Sequence, residues 1–205
     1  MPEKTVQKEP GKKPAPSKKP KPQQEVVVQI SLSELHPFPD HPFQVREDAS
    51  MQETAESVKE YGVLVPALAR PREDGGYELI AGHRRKHACE LAGLTTMPVI
   101  VRNIDRDAAT IIMVDSNLQR ENILPSERAK AYKMKMEAIK RQGARTDLTS
   151  PKISARFRSD DEVGQDAGVS GDTIRNYIAL TQLVPELQQM VDEKKIALSP
   201  AYQSA

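Results

Sequence analysis

Residues 79–93 read LIAGHRRKHACELAG, and this stretch restricts the fold more than any other. Leu79 and Ile80 close an apolar run, Gly82 breaks it, and a helical pattern follows with Arg84 and Arg85 in its first turn. A strand that stops at glycine and opens a helix aims unpaired backbone N–H groups at one point in space. Two guanidinium groups add fixed positive charge with bidentate geometry at that point. Two readings stand side by side: a cradle for a phosphate, or a surface helix with solvated basic residues.

The chain of 205 residues has room for one or two domains. Hydrophobic residues make up 38% and aromatics 4%, with no Trp, so the core is modest and largely aliphatic. A single cysteine, Cys89, has no internal disulfide partner, which fits a reducing compartment. No apolar run nears the roughly 18 residues of a membrane span. Met1 leads into a Lys/Pro tract in place of a signal peptide. These features predict a cytoplasmic protein that does not engage membranes.

The net charge of +1 conceals strong segmentation. Residues 1–24 carry +5, residues 25–127 carry −7, residues 128–158 carry +8 and residues 159–205 carry −5. A basic band between two acidic segments suggests a polyanion contact at a defined place, or a well-solvated helix face. Residues 1–25, rich in Lys and Pro, cannot bury a core and predict a disordered tail. Such a tail suits nonspecific DNA contact, partner contact or simple solubilisation.

Ordered structure is expected from Val26-Val27-Val28, followed by a rigid extended loop, His36 to Pro42, in which each Pro keeps its predecessor out of the helical region. The pattern then predicts a helix over Ala49–Tyr61 ended by Gly62, and a strand over Val63–Arg70 interrupted by Pro66. A return strand over Tyr77–Ala81, the Gly82 helix and a strand over Met97–Val101 follow. Asp107–Val114 reads as helical. Pro125 opens a longer helix with an apolar stripe at Ala129, Tyr132, Met136 and Ile139, expected to stop at Gly143, and a polar connector covers 144–157. The order is mixed α/β first and all-α second. The expected division is a tail over 1–25, a mixed domain over 26–124 and a helical domain over 125–205.

Within the helical part, Asp160 to Leu180 reads DDEVGQDAGVSGDTIRNYIAL. Gly164, Gly168 and Ile174 have the spacing of a helix-turn-helix. Gly164 permits close approach of the second helix, Gly168 takes the turn, and Val163, Ala167, Val169, Ile174 and Ile178 pack the pair. Ser170 caps the second helix. The exposed face is expected to present Gly171, Asp172, Thr173, Arg175 and Asn176, short polar groups and an Arg suited to base edges in a major groove. The nearby Arg156 and Arg158, with the basic helix from Arg128 to Arg141, would supply phosphate contacts. An ordinary helical hairpin is the competing reading. Elsewhere His83 and His87, four apart on one helix, read as a two-ligand metal pair or as paired surface histidines.

Three ordered stretches carry a resemblance: HPFPDHPFQVRED followed by SVKEYGVLVPALARP, then IAGHRRKHACELAG, then DSNLQRENILPSERAKAY. Together with the helix-turn-helix behind them they resemble the ParB family of DNA partition proteins, over about Ile30 to Ala201. The resemblance implies an α+β fold. A small mixed ParB/sulfiredoxin-like N-terminal domain would be followed by an all-α helix-turn-helix domain, here C-terminally incomplete. It implies a CTP-dependent DNA clamp that loads at a palindromic centromere-like site on double-stranded DNA, with Mg²⁺ as cofactor. Homodimerisation of the full-length protein and a Walker-type partition ATPase as partner belong to the same implication. Carried onto this chain, Gly62, Val63, Leu64 and Pro66 approach the nucleotide. Gly82, His83, Arg84 and Arg85 hold the triphosphate, Asn117 and Arg120 complete the pocket with Asn117 at the metal, and Arg46 borders the base.

Departures from the family pattern are His83 and Ser116 where Glu is usual, and Val65 where Gln is common. Imidazole and hydroxyl are poorer ligands than carboxylate for hard Mg²⁺, and Asp115 is the nearest carboxylate that can substitute. The resemblance therefore implies at most a slow CTP hydrolase. A transcriptional repressor on the same scaffold is the alternative, with a nuclease-like enzyme behind it. Sulfiredoxin chemistry needs a Cys where this chain has Gly82.

Overall fold

The computed structural model describes residues 25–120, 122–146, 160–161, 163–198 and 201. Strands β1 (Val27–Ser31), β2 (Leu35–Pro37), β3 (Ala67–Pro71), β4 (Tyr77–Ala81) and β5 (Thr96–Val101) build one mixed sheet in the order β1-β5-β3-β4-β2. β1/β5 and β3/β4 are antiparallel; β5/β3 and β4/β2 are parallel. Helices α1 (Ala49–Tyr61), α2 (His83–Leu91), α3 (Arg106–Leu118) and α4 (Pro125–Thr146) cover it.

Period-2 alternation sorts the strand side chains into two cores. On β4, Leu79 packs with Met51 and Val58 of α1 and Ala88 and Cys89 of α2. Its neighbour Ile80 points the other way, to Phe38, Phe43, Ala109, Met113 and Val114. The sheet is thus the middle of three layers, and the strand end at Ala81 opens between them.

The expected extended loop at His36 is in part a strand. Leu35–Pro37 pairs in parallel with Tyr77–Leu79, and Pro37 is tolerated because β2 is an edge strand. Gly143 does not stop α4, which runs on to Thr146. A helical Gly costs only about 1 kcal/mol, and Gly143 lacks the positive φ that marks Gly62, Gly82, Gly93 and Gly168.

α4 is the shared axle of the described residues. Ala131 sits in the second sheet core. Tyr132, with Met136 and Ile139 beside it, packs on Val163, Ala167, Ile174 and Ile178. Ala129 meets Leu180, Leu183 and Val191. Helical residues 163–167 (α5), Gly171–Ala179 (α6) and Pro185–Asp192 (α7) complete the chain. Ser126 donates through its backbone N–H (2.9 Å) and its hydroxyl (2.6 Å) to Asp192, pinning α7 to the start of α4.

Candidate functional site: an arginine-lined cleft

α1, α3 and α6 each have an N-cap side chain, Asp48, Asp105 and Ser170. α2 does not. Its N-cap is Gly82 at φ +110°, with no side-chain hydrogen bond, so the N–H groups of its first turn are left for a ligand. A Cβ at Gly82 would lie 2.8 Å from the Ala67 Cβ, so the left-handed turn and the packing of β3 both require glycine.

Two adjoining hollows of about 220 and 390 Å³ open there and share Phe43, Gln44, Arg84 and Arg120. The first also takes in Gly82, His83, Arg85, Ser116 and Asn117; the second takes in Arg46, Asp48, Ser50 and Glu127. Arg46, Gly82, His83, Arg84, Arg85, Asn117 and Arg120, expected from scattered motifs, are therefore brought to one cleft. A larger hollow of about 510 Å³ lies away from these arginines, against Asp115, Arg128, Tyr132 and Asp166. It has one arginine and two carboxylates, the wrong balance for an anion.

Each arginine is held differently. Arg84 Nη2 donates to Ser50 Oγ at 3.1 Å and lies 3.9 Å from Asp48 Oδ1, at the start of α1. Arg120 Nη1 donates to Asn117 Oδ1 at 3.3 Å from an exposed position. Arg85 Nη1 donates to the Val65 and Pro66 carbonyls, both at 2.6 Å, and burial presses its pKa below the usual arginine value. Arg85 therefore ties down the 62–66 loop. Gly62, Val63, Leu64 and Pro66 do not line either hollow, and the side chains of Leu64 and Val65 are exposed. The loop's carbonyls, turned to Arg85, hold that arginine at the edge of the cleft.

Other features of the cleft were invisible to sequence reasoning. Glu127 is buried; its Oε1 accepts from Gln44 N–H (3.1 Å) and its Oε2 from Leu124 N–H (3.2 Å), the back-bond of a capping box. It clamps Phe43 and Gln44 over the cleft. His41 packs on His83 with ring centroids 4.0 Å apart and ring planes tilted by 47°, so His83 is half-buried instead of pairing on the surface with His87. Burial, then the nearby His41, Lys86 and Arg85, bring the His83 pKa down to about 3. His87 meets Glu47 and Glu90 at 3.4 Å each.

The cleft offers no all-protein cage for Mg²⁺, which in nucleotide sites takes most of its ligands from phosphates and water. Among the described residues no group of three or more His, Cys, Asp or Glu could hold a metal ion. Asn117 Nδ2 donates to the Met113 carbonyl at 2.8 Å, and Oδ1 accepts from Arg120 at 3.3 Å with a second lone pair left over. Asp115 cannot replace the missing carboxylate, because it is paired with Lys135 at 2.7 Å on the other side of α3. Cys89 is buried in the core, and burial and then Glu90 push its thiol pKa up, which makes it a poor nucleophile.

The helix pair follows the spacing of its glycines. Gly168 adopts φ +69°, and a Cβ at Gly164 would sit 2.6 Å from the Val169 carbonyl. Ser170 Oγ accepts from Thr173 N–H. Asp172, Arg175 and Asn176 are exposed, but Gly171 is buried, a correction to the expected face: a Cβ there would meet Asp161 Oδ1 at 2.5 Å. Arg175 is engaged by Asp172 and by Asp160 at 3.3 Å. Arg156 and Arg158 lie outside the described residues. No described helix is long and apolar enough to cross a membrane.

Known proteins resemble this arrangement. The model for the ParB N-terminal domain matches residues 16–118. The chromosome-partitioning protein Spo0J of Thermus thermophilus is 34% identical over 85% of this chain and 58% of that protein. A probable chromosome-partitioning protein ParB of Treponema pallidum is 37% identical over 74% of this chain and 42% of its own length. The chain thus spans about half the length of the curated relatives it matches. Among solved structures, the C-terminally truncated chromosome-partitioning protein ParB from Caulobacter crescentus, complexed to the centromeric parS site, is 26% identical with a TM-score of 0.54. That match covers 85% of this chain and 82% of the other. A Pnob8-like ParB-N domain shares the fold at 18% identity, with a TM-score of 0.59 over 88% and 79% of the two chains.

Proposed function

Because this chain belongs to the ParB family, we propose that it is a partition-type DNA-binding protein whose arginine-lined cleft takes the triphosphate of CTP. One observation carries the nucleotide reading. Arg84 on α2 and Arg120 after α3 come from separate motifs and meet in one cleft over the uncapped N-terminus of α2. Free N–H groups, a helix dipole and two guanidinium groups form a site for a multiply charged anion. Arg85 and Glu127 hold its walls, and Arg46, which lines the other hollow, would border the base.

The duplex is taken by the α5–α6 pair, with Ser170, Thr173 and Asn176 toward base edges. Gly171 and Asp172 shape that face. Arg175 is available once it leaves Asp160 and Asp172, and Arg156 and Arg158 serve the phosphates. The relatives' names support partition, and the structural neighbour complexed to parS supports a centromeric site as target. A CTP-closed homodimeric clamp and a Walker-type ATPase that moves it are the further content of this proposal. His83 and Ser116, where the family usually has Glu, argue for slow hydrolysis or none.

Chromatin precipitation with sequencing tests the reading. Clustered palindromic sites with signal spreading into flanking DNA support it. Isolated sites at promoters would make the protein a repressor, and absence of enriched sites would remove sequence-specific DNA binding.

A further inference from the structure

Arg175 is the only basic side chain of α6, and it is not free. Its Nη1 donates to Asp160 Oδ2 at 3.3 Å, and its Nη2 donates to Asp172 Oδ1. The two acceptors differ in kind. The Asp172 carboxylate is 80% exposed, whereas that of Asp160, just ahead of α5, is 7% exposed. Asp160 Oδ1 is buried and has no hydrogen-bond partner, so among the described residues Arg175 is the one group that this carboxylate holds. A buried carboxylate that braces a fold uses both oxygens, as Glu127 does; one left half-paired on a helix of the readout unit calls for another explanation.

We propose that Asp160 and Asp172 are specificity-determining residues, which withhold Arg175 from DNA of random sequence and yield it where the duplex presents a guanine edge to α6. The inference rests on the reading of the α5–α6 pair as the duplex face. Sequence-independent affinity comes from cations that displace counterions from phosphates. An arginine already neutralised by two carboxylates displaces none, and the exposed Asp172 repels the DNA backbone. To reach a duplex, Arg175 must leave the buried Asp160 without a partner, which is costly. A phosphate met at random offers one anion for the two carboxylates lost. At the target, contacts of Ser170, Thr173 and Asn176 to base edges add to a bidentate contact of Arg175 with guanine O6 and N7, and their sum offsets that cost. Discrimination then comes from penalising wrong sequences as well as favouring the right one. The exposed Lys130, Lys133 and Lys140 of α4 remain to supply charge that any sequence can use.

The test follows binding of the full chain by fluorescence anisotropy over a range of salt. Two duplexes are used, one of random sequence and one carrying the site most enriched by chromatin precipitation. In D160N/D172N the random duplex should bind about tenfold tighter, with a salt slope steeper by about one, while the site gains less than about threefold. The preference for the site therefore falls. D172N alone, a change at an exposed side chain, should move affinity and slope part of the way in the same direction, and it decides the matter if D160N unfolds the helix pair. R175Q should weaken the site by about tenfold, more than it weakens the random duplex, and R175Q added to the double variant should abolish the gain on random DNA. An equal gain on both duplexes, no gain on the random one, a gain that survives R175Q, or equal losses in R175Q would overturn the inference. A wild-type chain that prefers no sequence removes the α5–α6 reading and this inference with it. A preferred site whose advantage the double variant keeps removes the inference alone.

Discussion

Lys135 gives the sharpest test of how the described helices are held together. Its side chain is 1% exposed, and its ammonium donates to Asp115 of α3 at 2.7 Å and Asp166 of α5 at 2.9 Å. Burial alone would lower its pKa; hydrogen bonds and attraction from the two carboxylates outweigh that and raise it. The partners are unequally solvated, since Asp115 and Asp166 are 43% and 56% exposed. Lys135→Met therefore leaves two carboxylates that water still reaches and fills the space with an apolar chain, at a cost of about 1–2 kcal/mol. The double variant Asp115→Asn with Asp166→Asn leaves an uncompensated ammonium in the interior, which costs about 3–5 kcal/mol. Removing one residue should thus hurt less than neutralising two, and adding Lys135→Met to the double variant should recover stability. Urea unfolding of all four proteins at pH 7, followed by circular dichroism, measures the order. If Lys135→Met is the least stable, or the triple variant shows no recovery, the account of this triad is wrong.

Gly164→Ala should cost about 1–3 kcal/mol by urea unfolding, because its methyl group would press within 2.6 Å of a backbone carbonyl that cannot rotate away; an unchanged midpoint would contradict the close approach. Acid should destabilise the fold through His83. The unfolded ring takes up a proton below about 6.5 while the folded one stays neutral to about 3, so the unfolded state binds more protons in that window and stability falls with pH. The fall should approach about 1.4 kcal/mol per pH unit per group, with the lowered pKa of His41 adding in the same sense; His83→Gln should flatten it in melts between pH 7 and 4. Asp160→Asn combined with Asp172→Asn should release Arg175 from both of its carboxylates, tightening duplex binding and steepening the salt dependence by about one phosphate contact; unaltered salt slopes would remove Arg175 from the interface.

The elements that could be read from sequence are those set by local chemistry. Gly82 declares itself because a strand and a helix meet at a residue that must adopt positive φ, and Pro125 marks the start of α4 because proline suits the first helical position. Tyr77–Ala81 follows from its apolar run. What escaped depends on partners far along the chain. Gln44 meets Glu127 across 83 residues, so the wall of the cleft has no local signature. The His41–His83 ring contact joins two distant segments, and Asp115 is claimed by a lysine a helix away. The grip of Arg85 on the Val65 and Pro66 carbonyls also joins segments about twenty residues apart and has no local signature.

Crosslinking of radiolabelled CTP to the wild-type chain, with and without duplex DNA and with each unlabelled nucleoside triphosphate as competitor, tests the central claim most directly. A crosslink competed by unlabelled CTP, and reduced about tenfold or more in Arg84→Ala and Arg120→Ala as the loss of a charge-assisted contact implies, is the predicted result. A crosslink of equal strength in both variants, or none under any condition, would contradict the cleft as a nucleotide site.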